Sequence, residues 1–376
     1  MVPYNAKTLE TLGKVAELPP PPEPVFGDPT KPATKEELEY WKKQNQWVEG
    51  VCELYLDDDS KKAIAKEETE IFSYPSDDGS YAIESRYFRA HPLPDGSKPP
   101  LIVHFHGGGM TLLNRDIDFE LNTCRHLRKL GCSVLTPEFR NARDHPFPAG
   151  VDDCLSTVLW ASENRELLGY NGTIITSGAS GGGNLSIATF VRAIEKGLPA
   201  EALIQGIFST CPCIRHKYVG VERVEAVEHA AWPPAMLQKL SNIYTQSSKD
   251  AANPSAWPLL ASNELLKRFP PVLLAGNEYD GLREDAKEMH ERLIEVGVAG
   301  CRYMEYKNTI HAAEFMPNMS DAKDTFLAIS AIANFAKDVS KMNEMESATV
   351  ERPGAATTKP SLATATAMPA KATQCH

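Results

Sequence analysis

What this chain lacks narrows its function before any motif is read. Its 376 residues hold no run of about eighteen apolar residues of the kind that crosses a membrane. The opening MVPYNAKTLETLGKVAEL has no apolar core of the sort that marks a secretory leader. No Lys/Arg-rich run occurs, and 50 acidic against 39 basic residues leave a net charge of −11, which argues against a nucleic-acid or anionic-membrane partner. The eight cysteines (52, 124, 132, 154, 211, 213, 301, 375) are scattered, mostly inside apolar runs, and CPC at 211–213 has no second pair nearby. Reduced core thiols are therefore expected rather than a disulfide framework or a zinc site. No internal repeat is visible. The expectation is a soluble, cytoplasmic protein; a homodimer is compatible with the sequence but not derivable from it.

What is present reads as an ordinary globular chain, 42% hydrophobic and 24% charged, long enough for one large domain or two small ones. The first seventy residues look helical. Leu9, Leu12, Val15 and Leu18 recur at near-helical spacing, PPPPEP interrupts at 19–24, and Thr34 with Glu37 forms a capping-box pattern. The helix it opens carries Trp41, Val48, Cys52 and Tyr55 on one stripe, which must cover something apolar. From about 70, short apolar runs alternate with helical segments: LIVHFHGGG (101–109), CSVLTPEF (132–139), TIITSGAS (173–180), LIQGIFST (203–210), PPVLLAGNEYD (270–280) and CRYMEY (301–306). Strand and helix in alternation predict an α/β fold with a mostly parallel sheet covered on both faces. Beyond 343 the Ala/Thr/Pro/Lys-rich sequence has little to bury and reads as a disordered tail.

Chemistry concentrates in two glycine-rich turns. Gly178-Ala179-Ser180-Gly181-Gly182 is G-x-S-x-G between a strand and a helix, the pattern of a nucleophile elbow. Such a turn lifts Ser180 above the carboxyl edge of the sheet and points the Gly181 N–H at the same place. A tight helix–strand contact or a phosphate loop would also use glycines, but no Lys-Ser/Thr pair follows, which excludes a Walker loop. The second turn, His106-Gly107-Gly108-Gly109, ends an apolar strand where an HGGG loop supplies further oxyanion donors.

With both motifs in place, the chain resembles the hormone-sensitive-lipase-like branch of the α/β-hydrolases. The resemblance spans about 80–340 and rests on HGGG (106–109), EFRNARDHPFPAGVDD (138–153), GASGGGN (178–184), NPSAWPLLA (253–261) and YDGLREDA (279–286). It implies an α/β-hydrolase fold with a helical cap. The expected division is N-terminal cap helices (1–70), core (71–210), cap insertion (211–260), core again (261–342) and tail (343–376). It implies Ser180 as nucleophile, Asp280 as the acid and, 31 positions later, His311 as the base. Asp280 could instead cap the following helix, and Glu278, Glu284 and Asp285 lie off the family position. His290 reads as solvated, His216 and His229 as part of the insertion, and His104 as a strand residue. The oxyanion hole is expected from Gly107, Gly108, Gly109 and Gly181, with the last three donating, Gly107 shaping the loop and His106 supporting it. The implied reaction is hydrolysis of small lipophilic carboxylic esters through an acyl-serine, with no cofactor and no metal. An acyltransferase or lactone enzyme with the same triad, or a non-catalytic receptor on this fold, are the alternatives. The chain departs from the family pattern at Ala179, where an acidic residue is usual, and at Ala312, where glycine is usual.

Overall fold

The computed structural model describes residues 6–23, 25, 34–93, 95–227, 232–320 and 322–350. The expected strands form with small shifts: β3 (Leu101–Phe105), β4 (Ser133–Pro137), β5 (Ile174–Ala179), β6 (Gly206–Thr210), β7 (Val272–Tyr279) and β8 (Arg302–Ile310). Two strands that sequence reading did not single out, β1 (Glu70–Pro75) and β2 (Ala82–Phe88), precede them. The sheet runs β1-β2-β4-β3-β5-β6-β7-β8, antiparallel where β2 meets β1 and β4, and parallel elsewhere. Every residue of β3 to β6 is buried, as parallel strands covered on both faces require.

The longer helices are α1 (Ala6–Ala16), α2 (Lys35–Cys52), α3 (Asp58–Ala65), α4 (Asp118–Lys129), α5 (Ala149–Glu163), α6 (Gly181–Glu195), α7 (Pro234–Tyr244), α8 (Arg283–Glu295) and α9 (Ala322–Val350). The pleat of β5 separates two of them. The Thr176 hydroxyl donates to Ser186 O of α6, whereas Ile175, pointing to the opposite face, meets Gly206 beside Phe335 and Val339 of α9. No described helix is long and apolar enough to cross a membrane.

Both ends of the chain depart from expectation. Helix α9 runs to Val350, past the expected tail boundary at 343, because Ile332, Phe335, Ala336 and Val339 bury its inner face and nothing between 340 and 350 breaks a helix. The remainder of the proposed tail, 351–376, lies outside the described residues. Helix α1 turns inward along Thr8, Thr11 and Leu12, and not along Leu9. Leu9 is exposed, while the Thr8 and Thr11 hydroxyls donate to Met319 O and Asn318 O. The capping box of α2 forms in both directions: Glu37 N–H donates to Thr34 Oγ1 and Thr34 N–H to Glu37 Oε2. Glu37 also meets Lys239 of α7 in a buried ion pair of 2.5 Å, tying the N-terminal helices to the 211–260 segment.

Candidate active site

The strand-to-helix turn after β5 forces Ser180 to φ 57°, ψ −118°, an unusual backbone for a residue with a side chain. It is held there by Ser180 N–H to Thr210 O (3.0 Å) and by Cys213 N–H to Ser180 O (3.1 Å), so the end of β6 braces the turn. A β-carbon on Gly182 would stand 2.0 Å from Phe105 O, and one on Gly181 would stand 2.5 Å from the amide nitrogens of Gly109 and Met110. Glycine at these two positions is what brings the start of α6 against the HGGG loop.

Among the described residues, the N–H groups of Gly108, Gly109 and Gly181 make no hydrogen bond. The Gly107 N–H is different: it donates to Glu120 Oε1 of α4 at 2.8 Å. Gly107 therefore offers no free donor, and Glu120 is the group that holds its amide in the loop. Glu120 was not anticipated. Its other oxygen accepts from His104 Nε2 (2.9 Å), whose Nδ1 faces Ser177 Oγ (3.3 Å). Burial works against the charge of Glu120, but the hydrogen bonds from His104 and Gly107 outweigh it and hold the carboxyl below its usual range. His106 donates from Nδ1 to Gly107 O and stacks on Phe139, with 4.1 Å between ring centroids.

Asp280 follows β7 and His311 follows β8, so the two meet at the carboxyl edge of the sheet. His311 Nδ1 donates to Asp280 Oδ2 at 2.5 Å, and Leu282 N–H donates to Asp280 Oδ1 at 3.2 Å. Burial disfavours the imidazolium, yet the Asp280 carboxylate, with Cys211 beside the ring, prevails and raises His311 well above the ordinary histidine range. Nδ1 is thus engaged by Asp280, and Nε2 is the ring's other nitrogen. The Ser180 and His311 side chains line one cavity without a direct hydrogen bond between them. Trp232 meets the His311 ring edge to face at 5.9 Å.

The other candidates are placed elsewhere. Glu278 accepts from Asn308 N–H, Glu284 pairs with Arg283 and Lys287, and the buried Asp285 holds Arg215 Nε (2.9 Å) and the Tyr218 hydroxyl (2.8 Å). His290 packs beside Tyr303 and His216 beside Trp257. His229 lies outside the described residues. Trp257 is buried and donates to Thr245 Oγ1 (3.2 Å), away from the cavity.

The His311 loop is stitched from behind. Ala312, at φ 56°, donates its N–H to Asn277 Oδ1; Asn277 Nδ2 donates to Glu314 Oε2 at 2.5 Å, and Thr210 Oγ1 to Glu314 Oε1 at 3.1 Å. Burial pushes the Glu314 carboxyl from 4.5 up to about 7. Between those values the folded chain keeps a proton that the unfolded chain has lost, so stability falls as pH rises through this window. Glutamine reproduces the protonated acid: its oxygen can accept from Asn277 and its amide can donate to Thr210. The Tm of Glu314→Gln relative to the natural chain is therefore expected to rise between about pH 5 and about pH 8. An unchanged Tm difference across that range, read by scanning calorimetry, contradicts the ionisation ascribed to Glu314.

The cavity measures about 380 Å³. Leu12, Val48 and Tyr55 from the N-terminal segment and Trp232, Leu237 and Leu240 from the 211–260 segment line it opposite the glycine loops. Its described wall carries no Lys or Arg, and its one carboxylate outside the His311 pair, Glu120, is already engaged by Gly107 and His104.

The fold and this constellation define a class. Residues 102–315 match the family described as alpha/beta hydrolase fold. The chain belongs to that family, in its hormone-sensitive-lipase-like branch. Brefeldin A esterase, a bacterial homologue of human hormone-sensitive lipase, is similar with a TM-score of 0.77 and 28% identity, covering 90% of this chain and 94% of its own. Esterase Est22 is similar with a TM-score of 0.71 and 27% identity, covering 86% and 99%. An arylesterase of Saccharolobus solfataricus is 28% identical over 64% of this chain and 75% of its own length.

Proposed function

We propose that this chain is a serine carboxylesterase acting on small, neutral, lipophilic esters. The observation that carries the reading is a convergence: Ser180 on its strained turn, His311 bonded to Asp280, and the unpartnered amides of Gly108 and Gly109 border one apolar cavity, with the unpartnered Gly181 amide next to Ser180 in the chain. His311 Nε2 takes the Ser180 proton as Oγ attacks the ester carbonyl, and Asp280 stabilises the imidazolium that forms. The N–H groups of Gly108, Gly109 and Gly181 receive the oxyanion, each worth roughly 3–4 kcal/mol in the transition state. His311 then protonates the departing alkoxide. Water, activated by the same imidazole, releases the acid from the acyl-serine.

Glu120 serves the reaction through the loop. A carboxylate from α4 holds the first glycine amide in a chain whose nucleophile is preceded by Ala179 rather than an acidic residue. Glu120→Ala is expected to lower kcat roughly a hundredfold, since displacing the donors by about 1 Å has that cost, with KM changed far less. A loss confined to KM, in steady-state kinetics, contradicts this role.

Helices α1 and α2 and the middle of the 211–260 segment act as the cap. Asn45 Oδ1 of α2 accepts from Leu113 N–H at 2.6 Å, clipping the cap to the HGGG loop. A roof of apolar side chains and the absence of a cationic residue from the described wall favour neutral substrates of modest length. With p-nitrophenyl esters, kcat/KM is expected to rise about fourfold per added CH₂ while the chain still enters the cavity, and to fall beyond roughly eight carbons. A steady climb to long-chain triglycerides, with activation at an oil surface, would assign the protein to the lipases instead.

A further inference from the structure

Behind the proposed base lies a thiol for which the reaction has no use. Cys211 follows β6, Asp280 follows β7 and His311 follows β8, so three adjacent strands deliver a sulfur, an oxygen and a nitrogen to one point. One ligand atom from each lies within 4.8 Å of the other two. We infer that Cys211, Asp280 and His311 form a latent site for a soft divalent cation, zinc or cadmium, whose binding switches the hydrolytic centre off.

The donor set fits such an ion. A tetrahedral zinc holds sulfur at about 2.3 Å and nitrogen or oxygen at about 2.0–2.2 Å, so its ligands stand about 3.3–3.8 Å apart. The three ligand atoms lie within 4.8 Å of one another, and His311 Nδ1 and Asp280 Oδ2, hydrogen-bonded at 2.5 Å, must part by about 1 Å to share an ion. A thiolate and a carboxylate cancel the two charges of the ion, and the thiolate favours zinc or cadmium over magnesium or calcium, which prefer oxygen donors. The backbone under the thiol is fixed: Cys211 sits at φ 36° with its N–H donated to Ala275 O at 2.8 Å. Asp280 keeps Leu282 N–H on its outer oxygen, a support that orients the carboxylate whether a proton or a metal occupies the other side. Entry is past the His311 ring, which forms part of the cavity wall.

The step balances. The divalent ion forms a bond to sulfur, the thiol S–H breaks and its proton leaves to solvent; His311 Nδ1 gives up the proton it shares with Asp280, the neutral ring carries its single proton on Nε2, any second proton of the imidazolium leaves to solvent, and the Nδ1 lone pair goes to the metal. The ring is then no longer free to accept the Ser180 proton. Inhibition rests on the esterase reading above, whereas binding does not, and the two are measured separately.

Zinc-loaded natural chain, dialysed free of excess metal, is examined by X-ray absorption, and cadmium titration is followed by the thiolate-to-metal charge-transfer band. One equivalent bound through one sulfur and nitrogen or oxygen donors is expected. The band should vanish in Cys211→Ser and Cys211→Ala and persist in Cys213→Ser and Cys52→Ser, the two cysteines that line the cavity. Half-inhibition by zinc of p-nitrophenyl butyrate hydrolysis, reversible with EDTA, should move at least tenfold to higher concentration in Cys211→Ser. A zinc shell with no sulfur or with two, or cadmium and zinc responses unchanged by either Cys211 variant, overturns the site. Stoichiometric binding as described in a chain that cleaves no ester leaves the site standing and overturns the esterase reading.

Discussion

Ser180→Ala is expected to lower kcat by about six orders of magnitude, the typical cost of removing the nucleophile of a triad. The same substitution should leave Tm within a degree or two of the natural chain. Its hydroxyl is half-buried and takes part in no hydrogen bond among the described residues, so its loss strands no buried partner. The turn itself is held by backbone bonds to Thr210 and Cys213, which alanine keeps. Active-site titration of purified variant excludes contamination by natural enzyme, and retention of more than about a thousandth of kcat would mean that the acyl group does not pass through Ser180.

Asp280→Asn carries the second largest effect, about 10⁴ in kcat. The amide can still accept Leu282 N–H on its oxygen, but its NH₂ then faces His311 Nδ1–H. The ring must take the other tautomer, which places a proton on Nε2 where a base is needed. A sign test accompanies the rate. In the natural chain Asp280 raises His311, so kcat/KM should climb with pH through a limb lying above the ordinary imidazole range. The variant loses that carboxylate and its limb should move to lower pH. Asp285→Asn serves as the contrast. Asp285 is buried against Arg215 and Tyr218, so its loss should lower Tm and leave the limb in place. A limb displaced by Asp285→Asn and not by Asp280→Asn would reassign the acid.

The parts of the site that were legible in the sequence are those that local backbone demands make distinctive. A serine among glycines at a strand end and a glycine triplet after an apolar strand each impose a conformation few other sequences allow. The groups that support them come from distant elements and carry no such mark. Glu120 looks like one more surface charge in FELNTC, yet it shares its helical stripe with the buried Cys124 and Leu127, and a carboxylate on an apolar stripe was the available signal. Glu314, Asn277 and Asn45 act through side-chain bonds that only the assembled fold creates. Helix α1 was legible as a helix, but its buried face only through Leu12, because Thr8 and Thr11 beside it are drawn inward by the carbonyls of Met319 and Asn318. The edge pair β1 and β2 escaped for a related reason: β1 alternates buried and exposed residues over a few positions, a weaker pattern than the wholly buried strands beside it.

The measurement that bears most directly on the mechanism is capture of the acyl-enzyme. Natural chain mixed with p-nitrophenyl butyrate and quenched in acid within the first turnovers, then digested and read by mass spectrometry, should carry one butyryl group on the peptide containing Ser180. The adduct should decay on dilution at the rate of turnover and be absent from Ser180→Ala. A butyryl group found instead on Cys213 or Cys52, or turnover with p-nitrophenol released and no acyl group on Ser180 at any time, would contradict the account.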